Sequence, residues 1–202
     1  LLIRLSNIET WGMLFYRGAI PFLVVLIGTL FVYKKNFLNK VFGIGYPGIF
    51  YIFSFSVCNI TFIISIQNTN VANTLVMIAL APMLSAILGA IFLKEAPDKK
   101  TWIAILITFI ACVYIFYDSL NLGNFLGDLF GLITAVGLAC NATLARYAKD
   151  RDLVPSAVIG KLLVAVFAFF FVENFELLGN DLVTIPLMCV MCVAIPFVLV
   201  TI

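Results

Sequence analysis

The chain has 202 residues, of which 64% are apolar and 11% charged, with a formal net charge of +2 and a mean hydropathy of +1.18. That balance excludes an ordinary soluble domain and places the chain in lipid. The sequence contains no histidine, which removes imidazole bases and His-ligated metals from consideration, and neither a cofactor nor a metal is expected.

The apolar runs are about 20 residues long, the length of a bilayer-crossing helix, not the ten or so alternating residues of a barrel strand. Residues 1–10 read as the tail of one further helix, and the first complete span is predicted over 12–33, with Arg17 standing inside its apolar run. The second, 46–66, carries Ser54, Cys58, Thr61 and Ser65 on one face at a 4-3-4 step, with Asn59 beside it. A third span covers 72–93 and holds Pro82 near its midpoint. That ring removes the amide donor to the Ile78 carbonyl and crowds the preceding turn, so a bend at mid-membrane is expected, with Ser85 or a neighbouring helix available to the freed carbonyl. Lys94 and Glu95 end the run. A carboxylate at a helix C-terminus opposes the macrodipole, so Glu95 is expected to pair with Lys94, Lys99, Lys100 or a neighbouring helix end.

The fourth span is predicted over 101–117 and the fifth over 125–145, where Gly127, Gly131, Ala135 and Ala139 repeat every four residues and let a neighbouring backbone approach. Thr134 and Asn141, seven residues apart, form a polar line along a similar face. Spans at 155–172, with Lys161 near its start, and 182–202, with Pro196, complete seven. Small polar residues on several helices favour a polar cavity over mere packing glue. The chain begins without methionine and stops inside an apolar run, and so reads as a fragment.

Ten of the twelve basic residues fall in or beside the alternate connections around 34–40, 94–100 and 146–154, whereas the intervening "QNTN", "DSLNLGNFLGD" and "ENFELLGND" have none. Short cytoplasmic loops collect Lys and Arg, so the basic connections are assigned to the cytoplasm and their charge to topology, not to a nucleic-acid partner. The carboxylates, Asp128 among them, fall in connections or at span ends, which predicts no intramembrane acid relay. Cys58, Cys112, Cys140, Cys189 and Cys192 lie in apolar spans, where Cys acts as a small hydrophobe. The lone C-x-x-C at 189–192 lacks a second ligand pair for zinc.

"NVANTLVMIALAPMLSAILGAIFLKE" followed by "TWIAILITFIACVYIF" resembles the fourth and fifth helices of EamA-type carriers in the drug/metabolite transporter superfamily, through Asn73, Pro82, Ser85, Gly89, Glu95 and Trp102. "GNFLGDLFGLITAVGLACNATLARY" is similar to the sixth helix, which opens the second repeat. Lys94 departs from the glycine usual before the terminal Glu. The resemblance implies an all-α, polytopic transmembrane helix bundle of inverted five-helix repeats, truncated here at both ends and covering about helices two to eight of ten. Residues 1–118 would hold the end of helix one and helices two to five, and residues 125–202 helices six to eight. A weak internal echo sets Arg4 against Arg146 and Arg17 near Lys161.

The implied function is a carrier that moves a small amino-acid-like or amphipathic metabolite by alternating access, typically as an exporter, from a bacterial inner membrane. A membrane-embedded enzyme with its catalytic groups elsewhere and a non-transporting assembly protein are the alternatives. Asn59, Asn73, Met77, Thr134 and Asn141 are the candidate substrate residues, with Arg17 as a carboxylate partner and Pro82 and Pro196 as hinges. The partners expected are the substrate and the bilayer, with a homodimer left open.

Overall fold

In the computed structural model, residues 8–33, 40–41, 43, 45–95, 97–121, 125–173 and 181–191 are described, and among them all regular structure is helical. The helices are α1 (Thr10–Tyr33), α2 (Gly45–Asn68), α3 (Val71–Ile78), α4 (Ala81–Leu88), α5 (Lys99–Asn121), α6 (Phe125–Tyr147), α7 (Val154–Phe169) and α8 (Asp181–Cys189). Four segments among the described residues, 10–31, 45–68, 71–93 and 125–147, are long and apolar enough to cross a membrane. The helix surfaces invert the soluble pattern. Phe31, Phe53, Phe92, Ile107 and Tyr114 are exposed, while Thr61, Ser65, Thr74, Thr134 and Asn141 are buried, as expected where lipid replaces water outside and only the interior satisfies polar groups. The chain is an integral, multi-pass membrane protein.

The helices divide into two compact units, with α2 contributing its residues up to Ser56 to the first and those from Val57 to the second. In the first unit α1 packs along α7, and α8 against α1. Gly18 sets the α1–α7 approach: a Cβ there would stand 2.7 Å from the Ala165 amide nitrogen, so only glycine fits. Val25 and Val158 close the contact with Phe22 and Leu26, and Trp11 stacks on Phe171 at 4.8 Å. The Ser56 hydroxyl lies 2.8 Å from the Ile52 carbonyl and 3.1 Å from that of Gly160, two acceptors sharing one proton. Lys161 is buried (7% exposed), and its ammonium lies 5.0 Å from the Phe55 ring centroid, in cation–π range. Its head is therefore enclosed by protein, which departs from the snorkelling that its place near a span end would suggest. Pro21 sits within α1 and Pro186 within α8. Pro196, Cys192, Arg4, Lys34 and Lys35 lie outside the described residues.

The second unit is built on α6, the most enclosed of the four long segments, with 44% of its apolar window buried against 28–33% in the others. Gly127, Gly131, Ala135 and Ala139 are all buried, as the four-residue spacing predicts. α3 and α4 pack on this ladder, whereas α5 touches it sparingly and exposes Trp102, Leu106, Ile110 and Val113. The predicted bend in 72–93 is a break. α3 stops at Ile78, Ala79 and Leu80 form a turn, and Pro82 enters the first turn of α4, where a missing amide costs least.

Candidate functional site

A polar seam runs through the second unit where α2, α3 and α6 meet. The α2 face read from the 4-3-4 step supplies Cys58, Thr61 and Ser65, all buried. Thr61 and Thr134 share a hydrogen bond of 2.8 Å, Ser65 and Thr74 one of 2.9 Å, and the Cys58 thiol donates weakly to the Thr134 carbonyl at 3.6 Å. Thr61 also reaches the Val57 carbonyl at 2.9 Å and Thr134 the Phe130 carbonyl at 2.8 Å. With the Cys58 carbonyl also 3.3 Å from the Thr61 hydroxyl, two hydroxyl protons serve four contacts, so two acceptors always have spare capacity.

Asn141, two turns beyond Thr134, is 7% exposed, and neither its amide nitrogen nor its amide oxygen has a hydrogen-bond partner among the described residues. Buried amides are rarely left so, because the lost hydration is uncompensated. Met77 adjoins the seam from α3: a Cβ on Gly131 would meet the Met77 Cβ at 3.2 Å and the Ser65 hydroxyl at 3.0 Å. On its other flank Met77 lines an open apolar cleft of ≈310 Å³ with Leu80, Phe109, Cys112 and Leu132, a size that small-ligand pockets share. A second cleft, ≈570 Å³, lies between Met83, Leu84, Trp102 and Leu106.

Of the residues expected at the site, the structure brings Met77 and Thr134 to one seam, with Asn141 buried farther along α6. Asn59 and Asn73 are half-buried on α2 and α3 of the same unit. Asn73 does not cap its helix; Asn70 does, its side chain accepting from the Ala72 amide at 3.3 Å. Arg17 belongs to the other unit, half-buried on α1. Pro82 is exposed, so its influence is on backbone geometry, not on the seam's lining.

Two features escape the sequence reading. Arg146, treated there as a topology charge, organises the end of the third span. Its guanidinium donates to the Ser85 carbonyl and hydroxyl, both at 2.9 Å, and to Glu95 at 3.0 Å, and it covers Gly89, whose Cβ would lie 3.0 Å away. Glu95 therefore pairs with a neighbouring helix end, and the Ser85 hydroxyl is engaged by Arg146. The available signal was spacing: Arg146 stands two turns after Ala139 on the ladder face.

The second feature is Asp128. It lies in the first turn of α6, at a span end as the sequence reading had it, but is fully buried, accepting from the Thr69 hydroxyl at 2.6 Å. Gly127 makes this burial possible, since a Cβ there would sit 2.6 Å from the Asn68 carbonyl carbon.

A family model described as the EamA-like transporter family matches residues 2–117. No curated protein and no solved structure matches the chain.

Proposed function

The chain belongs to the EamA-like transporter family, whose members are membrane transporters of the drug/metabolite superfamily, and on that premise we propose that it carries small amino-acid-like or amphipathic metabolites through the α2–α3–α6 seam. The observation that carries this reading is the Asn141 amide, buried with both polar atoms unpartnered. Such a group is costly as packing and useful as a donor–acceptor pair for a zwitterion. Spare acceptor capacity around Thr61 and Thr134 lies two turns away, and Met77 supplies an adaptable apolar wall beside an apolar cleft. A polar line against an apolar wall suits amphipathic solutes. None of these side chains is charged, so affinity is modest and several related solutes are accepted. Arg17, on α1, is proposed separately as a carboxylate partner. Pro82 and Pro196 are proposed hinges for alternating access, in the export direction, from a bacterial inner membrane.

Alanine replacements at Asn59, Asn73, Met77, Thr134 and Asn141 test the site in reconstituted vesicles. Asn141→Ala should raise the half-saturating concentration about tenfold, the worth of one or two lost hydrogen bonds, with abundance unchanged. If all five replacements changed abundance alone, the substrate site would lie elsewhere.

A further inference from the structure

α5 is held in its unit by few neighbours. It touches α6 and α3 sparingly, and residues 101–117 contain no charged side chain. Two open clefts follow it. The larger, ≈570 Å³, lies between α4 and the first half of α5, with Met83, Leu84, Trp102, Leu106 and Phe109 on its walls. Phe109 also lines the smaller, ≈310 Å³, which Cys112 and Tyr117 border farther along the helix. The walls of the larger cleft carry no charged side chain and, apart from the Trp102 indole, no side-chain N–H or O–H. A polar solute would lose its hydration there without replacement, whereas a hydrocarbon chain has none to lose.

Length and charge narrow the occupant. Trp102 and Cys112 stand about 15 Å apart along the helix axis, which is half the hydrocarbon thickness of a bilayer and so the depth of one leaflet's acyl chains. The Trp102 end of this path is basic. Lys94, Lys99 and Lys100 are exposed in the adjoining connection, and among the described residues none of them belongs to an ion pair. Glu95 is already paired with Arg146, which leaves Asp98 as the remaining carboxylate of that connection against three ammonium groups. The exposed Trp102 ring, next in sequence but one to Lys100, has the amphipathic form that settles at a headgroup interface.

We propose that the α4–α5 cleft binds the acyl chain of an anionic phospholipid whose phosphate-bearing headgroup rests on Lys99 and Lys100. Apolar walls of leaflet depth and a cationic rim at one end match the two halves of that molecule. The 94–100 connection is also among those assigned to the cytoplasm, the side on which anionic lipid gathers. The site is defined by lipid contact and does not depend on the transport reading.

The chain has two tryptophans, so Trp11→Phe leaves Trp102, on the cleft wall, as the sole fluorophore. The test is quenching of Trp102 in phosphatidylcholine bilayers that contain increasing fractions of either phosphatidylglycerol or phosphatidylcholine brominated along the acyl chains. Brominated phosphatidylglycerol should reach half-quenching at a mole fraction at least tenfold lower than brominated phosphatidylcholine, and its effect should saturate, as binding to a site does. Each lysine is worth about fivefold in that preference, so Lys99→Gln combined with Lys100→Gln should remove most of it. Raising the salt concentration screens the same charges and should lower the preference with both lysines in place, which decides the matter if the double variant does not fold. The proposal is overturned if the two brominated lipids quench alike, or if quenching by phosphatidylglycerol rises linearly with mole fraction as at a general lipid boundary. It is equally overturned if the preference survives the double substitution or high salt, or if Trp102 is shielded from both lipids because protein covers the cleft.

Discussion

Lys94 carries a positive φ of 58°, the left-handed region where a Cβ meets the following carbonyl and costs about 1–2 kcal/mol. The residue closes the third span: a π-turn over Gly89–Leu93 ends with the Lys94 and Glu95 amides both directed at the Gly89 carbonyl. Such a cap favours glycine, the residue usual at this point in the resembling carriers, so the departure noted in the sequence has a conformational consequence. Lys94→Gly should stabilise the fold by about 1 kcal/mol, read as a higher unfolding midpoint; an unchanged midpoint would count against a strained cap.

Glycines elsewhere answer to packing, and a contrast is available. Gly127→Ala would drive a Cβ into the Asn68–Thr69 backbone and should cost about 1–3 kcal/mol. Gly28→Ala meets nothing within 4 Å and should be neutral or mildly stabilising. Equal midpoints for the two variants would contradict the close approach of α6 to the end of α2. The small-residue ladder was legible from its four-residue period. The burial of Asp128 was not, because it depends on how near Gly127 lets another backbone come, and that distance has no local signature.

At the scale of the element, the break at Ala79–Leu80 follows from the chemistry of one ring. Pro82 cannot donate to Ile78, and the chain restarts as α4 with the proline in its first turn. Pro82→Ala restores that hydrogen bond and should join α3 to α4, leaving insertion intact while changing the transport rate several-fold. Unchanged flux at normal abundance would remove the break from the mechanism. The sequence showed that the helix must yield here, since a mid-span proline has few other outcomes.

It did not show what holds the segment afterwards. Arg146 is far away in sequence and binds Ser85 and Glu95 through a planar fork that lysine cannot reproduce. Arg146→Lys should therefore lower the midpoint nearly as much as Arg146→Gln. Full rescue by lysine would mean that charge alone matters there.

For the molecule as a whole, the helical, multi-pass class was legible because run length is a one-dimensional signal; of the seven spans expected, four described segments are long and apolar enough to cross a membrane. Each unit also carries an ion pair between basic connections assigned to the same membrane face. Lys40 meets Asp152 at 2.6 Å in the first unit and Glu95 meets Arg146 at 3.0 Å in the second. Thr69, in one connection without basic residues, meets Asp128 at the start of α6, beside another. With the native cysteines replaced, Asn70→Cys should react with an impermeant thiol reagent on intact cells and Lys99→Cys should not. Reversed labelling would overturn the orientation. The polar seam was half legible: helical periodicity selected Thr61, Ser65, Thr134 and Asn141, but which of them would find partners depends on neighbours that no single helix encodes.

The central claim is that this chain moves a small metabolite without transforming it. Uptake of labelled amino acids into sealed vesicles reconstituted with the protein, followed by chemical identification of the accumulated label, tests it most directly. The account predicts saturable accumulation above protein-free vesicles, with the label chemically unchanged and half-saturation raised by Asn141→Ala. Conversion of the label would contradict that claim, as would uptake no greater than in protein-free vesicles across the amino-acid series.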